Sequence, residues 1–403
     1  MSATPRPQLP WRRVLAVGIA GLLAGAVLLG LQFVRLDRNH LGGGPSAPFF
    51  VGTAWHLDEE LTARRVHVVI RPGNGYDGQW FLGLAYDPLL REHLAGGFDM
   101  PRYRARRPLL AMAGWLLAAG RPAAVPAALL TVELLAVGAG CAATGRLLAA
   151  AGLSPWWGLG FAVVPGVVVG VMFGTAEPLG LALAALGLSL VLDRRLVPAG
   201  LAFAAAGLTK ETYLGFAGAA AIWLLLGSLA GLRERVRLAA TVLVPGAVLL
   251  AAWWWYVGAM VAAGRTDRAG LESVAAPFVG WGHTLARIAR GAYVPDAPVG
   301  LLGLACMVAT FALLVVAVAL TLRARTLLDW TGLVMGVYGL MIAGGQLDRF
   351  LSAARALAPC VLGAALGVVA VAALSRSGRI RHDVPGGREG RRDQPSRRAE
   401  ERR

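Results

Sequence analysis

Long apolar runs joined by short polar turns make up most of this chain, and one long polar interval breaks the alternation. Apolar runs cover 14–33, 123–145, 157–173, 178–192, 196–209, 212–230, 238–260, 299–321, 327–345 and 352–374, with a shorter one at 109–119. A hydrocarbon core about 30 Å thick needs about 20 mostly apolar residues in a helix that crosses it. The first ten runs therefore predict membrane crossings, whereas 109–119 is short for a crossing and is read as dipping in and returning or as a short true span. Several runs are broken by Gly or Pro, which predicts helices packed on neighbours that satisfy the freed backbone groups. The predicted fold is an all-α polytopic membrane protein of about 10–11 transmembrane helices. Residues 1–13 form a cytoplasmic N-terminus, 14–374 the membrane domain, and 375–403 a basic tail almost without apolar residues, expected to be disordered. Val14 to Phe33 is longer than the apolar part of a signal peptide and no small-residue cleavage site follows, so it reads as a first span.

The polar interval is Gly73 to Pro108, within a first external loop at 34–107. It holds Asp77, Asp87, His93, Asp99 and five arginines. Between Trp80 and Leu94, the residues Phe81, Leu84, Ala85, Leu89 and Leu90 fall near one helical face, which predicts a short interfacial helix on the membrane. A second external loop is expected at 261–298.

Composition supports the membrane reading. Hydrophobic residues make up 57% and charged residues 15%, with mean hydropathy +0.60. A soluble domain carries about 25% charged residues. The net charge of +16 is almost wholly arginine, since Lys210 is the only lysine. These arginines sit at segment ends and in the tail, where positive charge marks the cytoplasmic side, so nucleic-acid binding is a poor reading of the charge. The bias to Arg, Ala, Gly and Val is that of a high-GC bacterial genome, and a bacterial cell membrane is the expected location. Cys141, Cys306 and Cys360 lie in apolar runs and read as small buried hydrophobes.

With ten crossings, Arg146, Arg194-Arg195, Arg233 to Arg237, Arg323 to Arg325 and the tail all fall inside. The outer turns then hold Glu177-Pro178, Lys210-Glu211 and Gln346 to Arg349, on the same side as the large loop. Ionisable residues at or within spans are costly and mark sites or pathways. Their convergence predicts an external site at the membrane boundary.

Each residue also has a plainer reading. Asp77 lies in a turn-like Tyr76-Asp77-Gly78-Gln79, and Asp87-Pro88 suits a helix start. Arg102, Arg104, Arg106 and Arg107 suit either headgroup anchoring or phosphate binding, because the arginine fork matches phosphate oxygens. Glu177 suits a helix N-terminus, Lys210-Glu211 an ion pair, and Glu133 a lone packed polar group. Trp253 to Tyr256 suits an aromatic belt. His56, His67, His93 and His283 have no metal-ligand spacing, and no phosphate-loop or nucleophile-elbow motif is present.

Taken together, the motifs resemble the bacterial integral-membrane glycosyltransferases of the GT-C superfamily, the group of the protein O-mannosyltransferases and GPI mannosyltransferases. The likeness rests on Tyr76-Asp77-Gly78-Gln79 in the first loop, Tyr103 to Leu110 at its exit, Glu177-Pro178, Leu208 to Thr212, and Asp348 to Leu351 with Arg355 and Pro359. It spans about residues 14–374 and implies transfer of a sugar, mannose or arabinose among the options, from a polyprenyl-phosphate donor to a glycan, lipid or protein acceptor. It implies Asp77 as the general base, and Tyr76, Gln79, Arg104, Arg106, Glu177, Lys210, Glu211, Asp348 and Arg349 as substrate or donor-phosphate residues. Better-known members often pair acids in the first loop. Here Asp77 has no acidic neighbour, so Asp58 or Glu59 stays open as a sharer of its role and a divalent cation stays open as a cofactor. The rival readings are a transporter or flippase and a noncatalytic scaffold.

Overall fold

The computed structural model describes residues 11–63, 66–227, 231–262, 275–290, 300–322, 326–347 and 350–376. Among them the chain is nearly all helix, with one pair of two-residue strands, β1 (Val51–Gly52) and β2 (Ile70–Arg71), paired in parallel. The first ten residues, nearly all of the tail, and the predicted site residues Asp348 and Arg349 lie outside the described residues.

Helix α1 (Trp11–Arg38) opens the chain and the first loop follows, with α2 (Leu57–Ala63), α3 (Gly78–Tyr86) and α4 (Pro101–Ala105). Then come α5 (Leu109–Ala118), α6 (Val125–Ala150), α7 (Pro165–Phe173), α8 (Glu177–Leu192), α9 (Leu196–Thr209), α10 (Leu214–Leu226) and α11 (Leu232–Met260). The last third holds α12 (Val279–Ala289), α13 (Gly300–Thr321), α14 (Leu327–Leu340), α15 (Gly344–Leu347), α16 (Phe350–Ala356) and α17 (Ala358–Arg376).

Among the described residues, three helical stretches are long and apolar enough to cross a membrane: Trp11–Arg38, Pro122–Ala150 and Leu232–Met260. A fourth arises if the 3-10 helix Pro155–Val163 and α7, bent by 57° at Pro165, count as one. The other apolar helices are shorter, and α5, at about 1.5 Å per residue, reaches only about half the hydrocarbon thickness. The run predicted at 352–374 is split at Leu357 into α16 and α17.

The buried stripe of α1 is Val17, Gly21, Gly25, Leu29, Gln32 and Leu36, one face at helical spacing. It packs on α6, where a Cβ at Gly21 would lie 2.5 Å from Cys141 Sγ, so small residues set the close approach. On the opposite face Leu15, Ile19, Leu23, Val27 and Leu31 are exposed. Much of the buried interior of α6, α8, α9 and α10 is Ala and Gly, while Leu135, Leu186, Val197, Leu201, Leu225 and Leu226 project outward.

The predicted interfacial helix is corrected. Helix α3 is buried at every residue from Gly78 to Ala85. Its apolar residues occupy more than one face: Trp80 packs on Trp55 and Phe98, and Gly83 faces Leu57 and Phe98, while α5 and α6 also contact the helix. The loop folds over it, so α3 is a core helix. It stops at Asp87, the residue before Pro88, where helical backbone is disfavoured. The Asp87 carboxylate accepts from the backbone N–H groups of Arg91, Glu92 and Leu94 and so fixes the next turn.

Candidate functional site

Five separate pieces of chain converge beside α3. Asp77 arrives on the turn before α3, and Arg104 and Arg107 on α4 and its exit. Glu177 begins α8, Lys210 and Glu211 form the joint between α9 and α10, and Arg355 comes from α16. The turn seats closely: a Cβ at Gly78 would stand 2.0 Å from the Phe173 carbonyl oxygen, so only glycine lets Asp77 approach the end of α7. Tyr76 stacks on Phe173 at 4.7 Å between ring centroids, and the Arg355 guanidinium lies over the Tyr76 ring.

The charges are shared. Asp77 Oδ2 takes Nη1 of Arg104 at 3.0 Å and Nη1 of Arg355 at 2.5 Å. Arg104 also holds both oxygens of Asp99, at 2.9 Å each. Arg355 reaches on through Nε to Glu177 Oε1 at 3.0 Å, and Lys210 Nζ stands 3.6 Å from the same oxygen. Lys210 also donates to the Arg355 carbonyl at 3.3 Å, and Thr175 donates to the other Glu177 oxygen. Arg107 forks onto Glu211 at 2.8 and 3.2 Å and donates to Tyr103 Oη at 2.6 Å. Four cations thus meet four carboxylates, which satisfies the buried charges that would otherwise be costly.

Asp77, Arg104, Arg107, Lys210, Glu211 and Arg355 all line one cavity of about 260 Å³. Asp99 and Glu177 hold their arginines from behind and do not line it. Four cations and two anions therefore stand on the wall, with the balancing charges of Asp99 and Glu177 behind it. Burial alone would push the Asp77 carboxyl up, but Arg104 and Arg355 outweigh it and hold the group well below the usual carboxylate range. Burial draws Lys210 down to about 8 against the attraction of Glu177. Burial pushes Tyr76 up to about 12.

Of the predicted residues, the fold brings Asp77, Arg104, Lys210 and Glu211 to the cavity wall, with Glu177 and Tyr76 directly behind. Gln79 is fully buried and structural: it accepts from the Gly52 N–H and donates to the Asn74 carbonyl, both at 2.9 Å. Arg106 lies over Trp254 at 4.8 Å and does not line the cavity; its neighbour Arg107 does. Arg102 caps the end of α11 through the Val261 and Gly258 carbonyls. Trp253 donates to the Ala105 carbonyl and Tyr256 to that of Leu89, so the aromatic run fastens α11 to the first loop. Asp58, Glu59 and Glu60 occupy the first turn of α2, where the helix dipole favours acids, away from the cavity wall. Glu133 is buried in α6 with neither carboxylate oxygen bonded among the described residues.

Two members escaped prediction as site residues. Arg107 and Arg106 are indistinguishable in a run of arginines. Arg355 had a usable signal, a single arginine within the apolar run 352–374.

The donor set does not fit a divalent cation. Such ions want several free oxygen ligands, and each carboxylate of the cluster faces an arginine or lysine. Among the described residues no three His, Cys, Asp or Glu side chains are grouped as a metal ion would need. What the wall can do is hold an anion against arginine forks and a lysine point charge, beside a carboxylate that stays ionised.

The chain matches no family model, no curated protein and no solved structure.

Proposed function

We propose that this chain is a multi-pass protein of a bacterial cell membrane that transfers a sugar from a polyprenyl-phosphate donor to an acceptor hydroxyl at the outer face. The observation that carries the reading is the sharing of Asp77 with two arginines on the wall of a cavity that has two further cations. Three helices of crossing length among the described residues, with leucines and valines projecting outward, support the membrane placement. Ten crossings remain the reading of the whole chain, with the shorter helices packed among the longer ones.

In the proposed reaction the donor phosphodiester sits against Arg104, Arg107, Lys210 and Arg355. The acceptor oxygen bonds to the anomeric carbon, and its proton passes to Asp77. The bond from the anomeric carbon to the phosphate oxygen breaks, and that oxygen keeps the electron pair. The lipid phosphate leaves as a monoester with one more negative charge, which the arginine forks and the lysine of the wall stabilise. Fixed charge aimed at developing charge is commonly the largest catalytic contribution. While both arginines rest on Asp77 it is a weak base. A donor phosphate that draws them off raises its basicity at the moment the acceptor is present.

Transfer from a panel of radiolabelled polyprenyl-phosphate sugars into reconstituted membranes tests this, with wild type beside Asp77→Asn. Product from wild type and a loss of about 10²–10⁴-fold in the variant is expected, the usual span for general-base removal. Equal product from both would remove Asp77 as the base. No product from any donor, with movement of a lipid-linked substrate across the membrane, would establish the transporter reading, which the bent pair at Pro165 favours.

A further inference from the structure

The cavity has a second kind of wall that the proposed chemistry does not use. Tyr338 of α14, Gln346 of α15 and Ser352 of α16 line it beside the cations. All three are half-buried and neutral, and among the described residues none of their side chains takes part in a hydrogen bond. A phenol, a carboxamide and a hydroxyl thus face one space, each able both to donate and to accept. Their polar atoms are open to the cavity, and a ligand there can bond them in place of water.

A phosphate does not account for this set. Its oxygens accept only, and four cations already supply forks and a point charge for them. A group dense in hydroxyls, each a donor and an acceptor, does account for it. The volume of about 260 Å³ is close to the lower end of small-molecule sites, about 300 Å³, which leaves room beside a phosphate for one small ring.

We propose that Tyr338, Gln346 and Ser352 form a hydroxyl-reading subsite that selects the sugar of a sugar phosphate. The cationic wall holds the phosphate of the same molecule. This rests on the reading of the cavity as a sugar-phosphate site. A site built to bond hydroxyls rejects analogues that lack them far better than an apolar pocket can, so these residues, more than the cations, set donor choice.

The test is calorimetry on the full chain in detergent micelles, with methyl phosphate, a hexose 1-phosphate and a pentose 1-phosphate as probes. One of the sugar phosphates should bind roughly tenfold tighter than methyl phosphate, the equivalent of one or two net hydrogen bonds. Tyr338→Phe, Gln346→Met and Ser352→Ala should each shrink that ratio toward one and leave methyl phosphate affinity unchanged. The unchanged methyl phosphate affinity also reports that the variant is folded. Each substitution is made alone, so a fold lost at one position leaves the other two to decide. Equal affinities in wild type, or ratios untouched by all the folded variants, would overturn the subsite and leave the anion site standing. Absence of binding by all three probes would overturn the anion site itself, and the subsite with it.

Discussion

Helix α8 carries an acid at each end, and the two ends behave differently. At its start Glu177 is 2% exposed and is shared by Arg355 and Lys210, with Thr175 on its second oxygen. At its close Asp193 pairs with Arg146 of α6, which also bonds Ser189 one turn back on α8. The Asp193 pair is closed: one acid meets one arginine, both are about a quarter exposed, and neither lines the cavity. The Glu177 cluster is open: Arg355 is divided between two acids, Arg104 between two, and Glu177 between two cations. A closed pair fastens α6 to α8. A shared network beside a cavity has cations that can be redirected to a ligand while Asp99 and Glu177 still hold Arg104 and Arg355 from behind. Ion pairing by itself therefore does not distinguish structure from function here; sharing and access to the cavity do.

The hardest way to break the comparison is to remove the shared arginine and the closed one in turn. Arg355→Met strips a partner from both Asp77 and Glu177, and breaking a buried pair from one side costs about 3–5 kcal/mol. Loss of transfer and a clear fall in thermal unfolding temperature are expected. Arg146→Met, which opens one partly buried pair and strips no second acid, should cost less than that. Arg355→Lys keeps the charge but not the fork that spans two acids, so it should fold and still transfer poorly. Similar unfolding temperatures for the Arg355 and Arg146 variants would erase the distinction drawn here.

Neighbouring arginines sharpen it next. Arg107→Ala removes a cavity cation and should weaken phosphate binding about 10–100-fold, the worth of one charge-assisted hydrogen bond. Arg106→Ala, whose side chain rests on Trp254, should leave that affinity unchanged. Calorimetry with inorganic phosphate decides between them.

A pH series gives a smaller effect with a definite sign. Lys210 titrates near 8 in the folded chain and near 10.4 when unfolded. Phosphate affinity should fall as pH rises past about 8, and Lys210→Arg should remove that fall because arginine stays charged. Between those two values the unfolded chain binds the extra proton, so stability rises with pH across the window while affinity drops. A phosphate affinity flat from pH 7 to 9 would place Lys210 outside the anion site.

The smallest change is Asp193→Asn. It keeps an acceptor for Arg146, so it should cost less than Arg146→Met and leave transfer unchanged, checked by unfolding temperature and by the radiolabel assay.

The all-helical character, the first helix and the polar interval that holds Asp77 were legible in the order of residues. Apolar runs and their lengths are local properties, and backbone hydrogen bonding inside a helix needs no distant partner. Lys210 and Glu211 were legible as charges where apolar runs meet, since an ionisable group there needs a reason. The fate of α3 was not. A run of apolar residues reads alike whether one face meets lipid or all faces meet protein, and only the loop folded above it decided for burial. Arg106 and Arg107 differ by one position and about 100° of helical turn, so which one enters the cavity depends on how α4 docks on α11. Above all, the pairing of Asp77 with Arg355 spans 278 positions. No local pattern encodes a contact of that separation. It exists because α3, α8, the α9–α10 joint and α16 pack around one point, where buried charges must find partners.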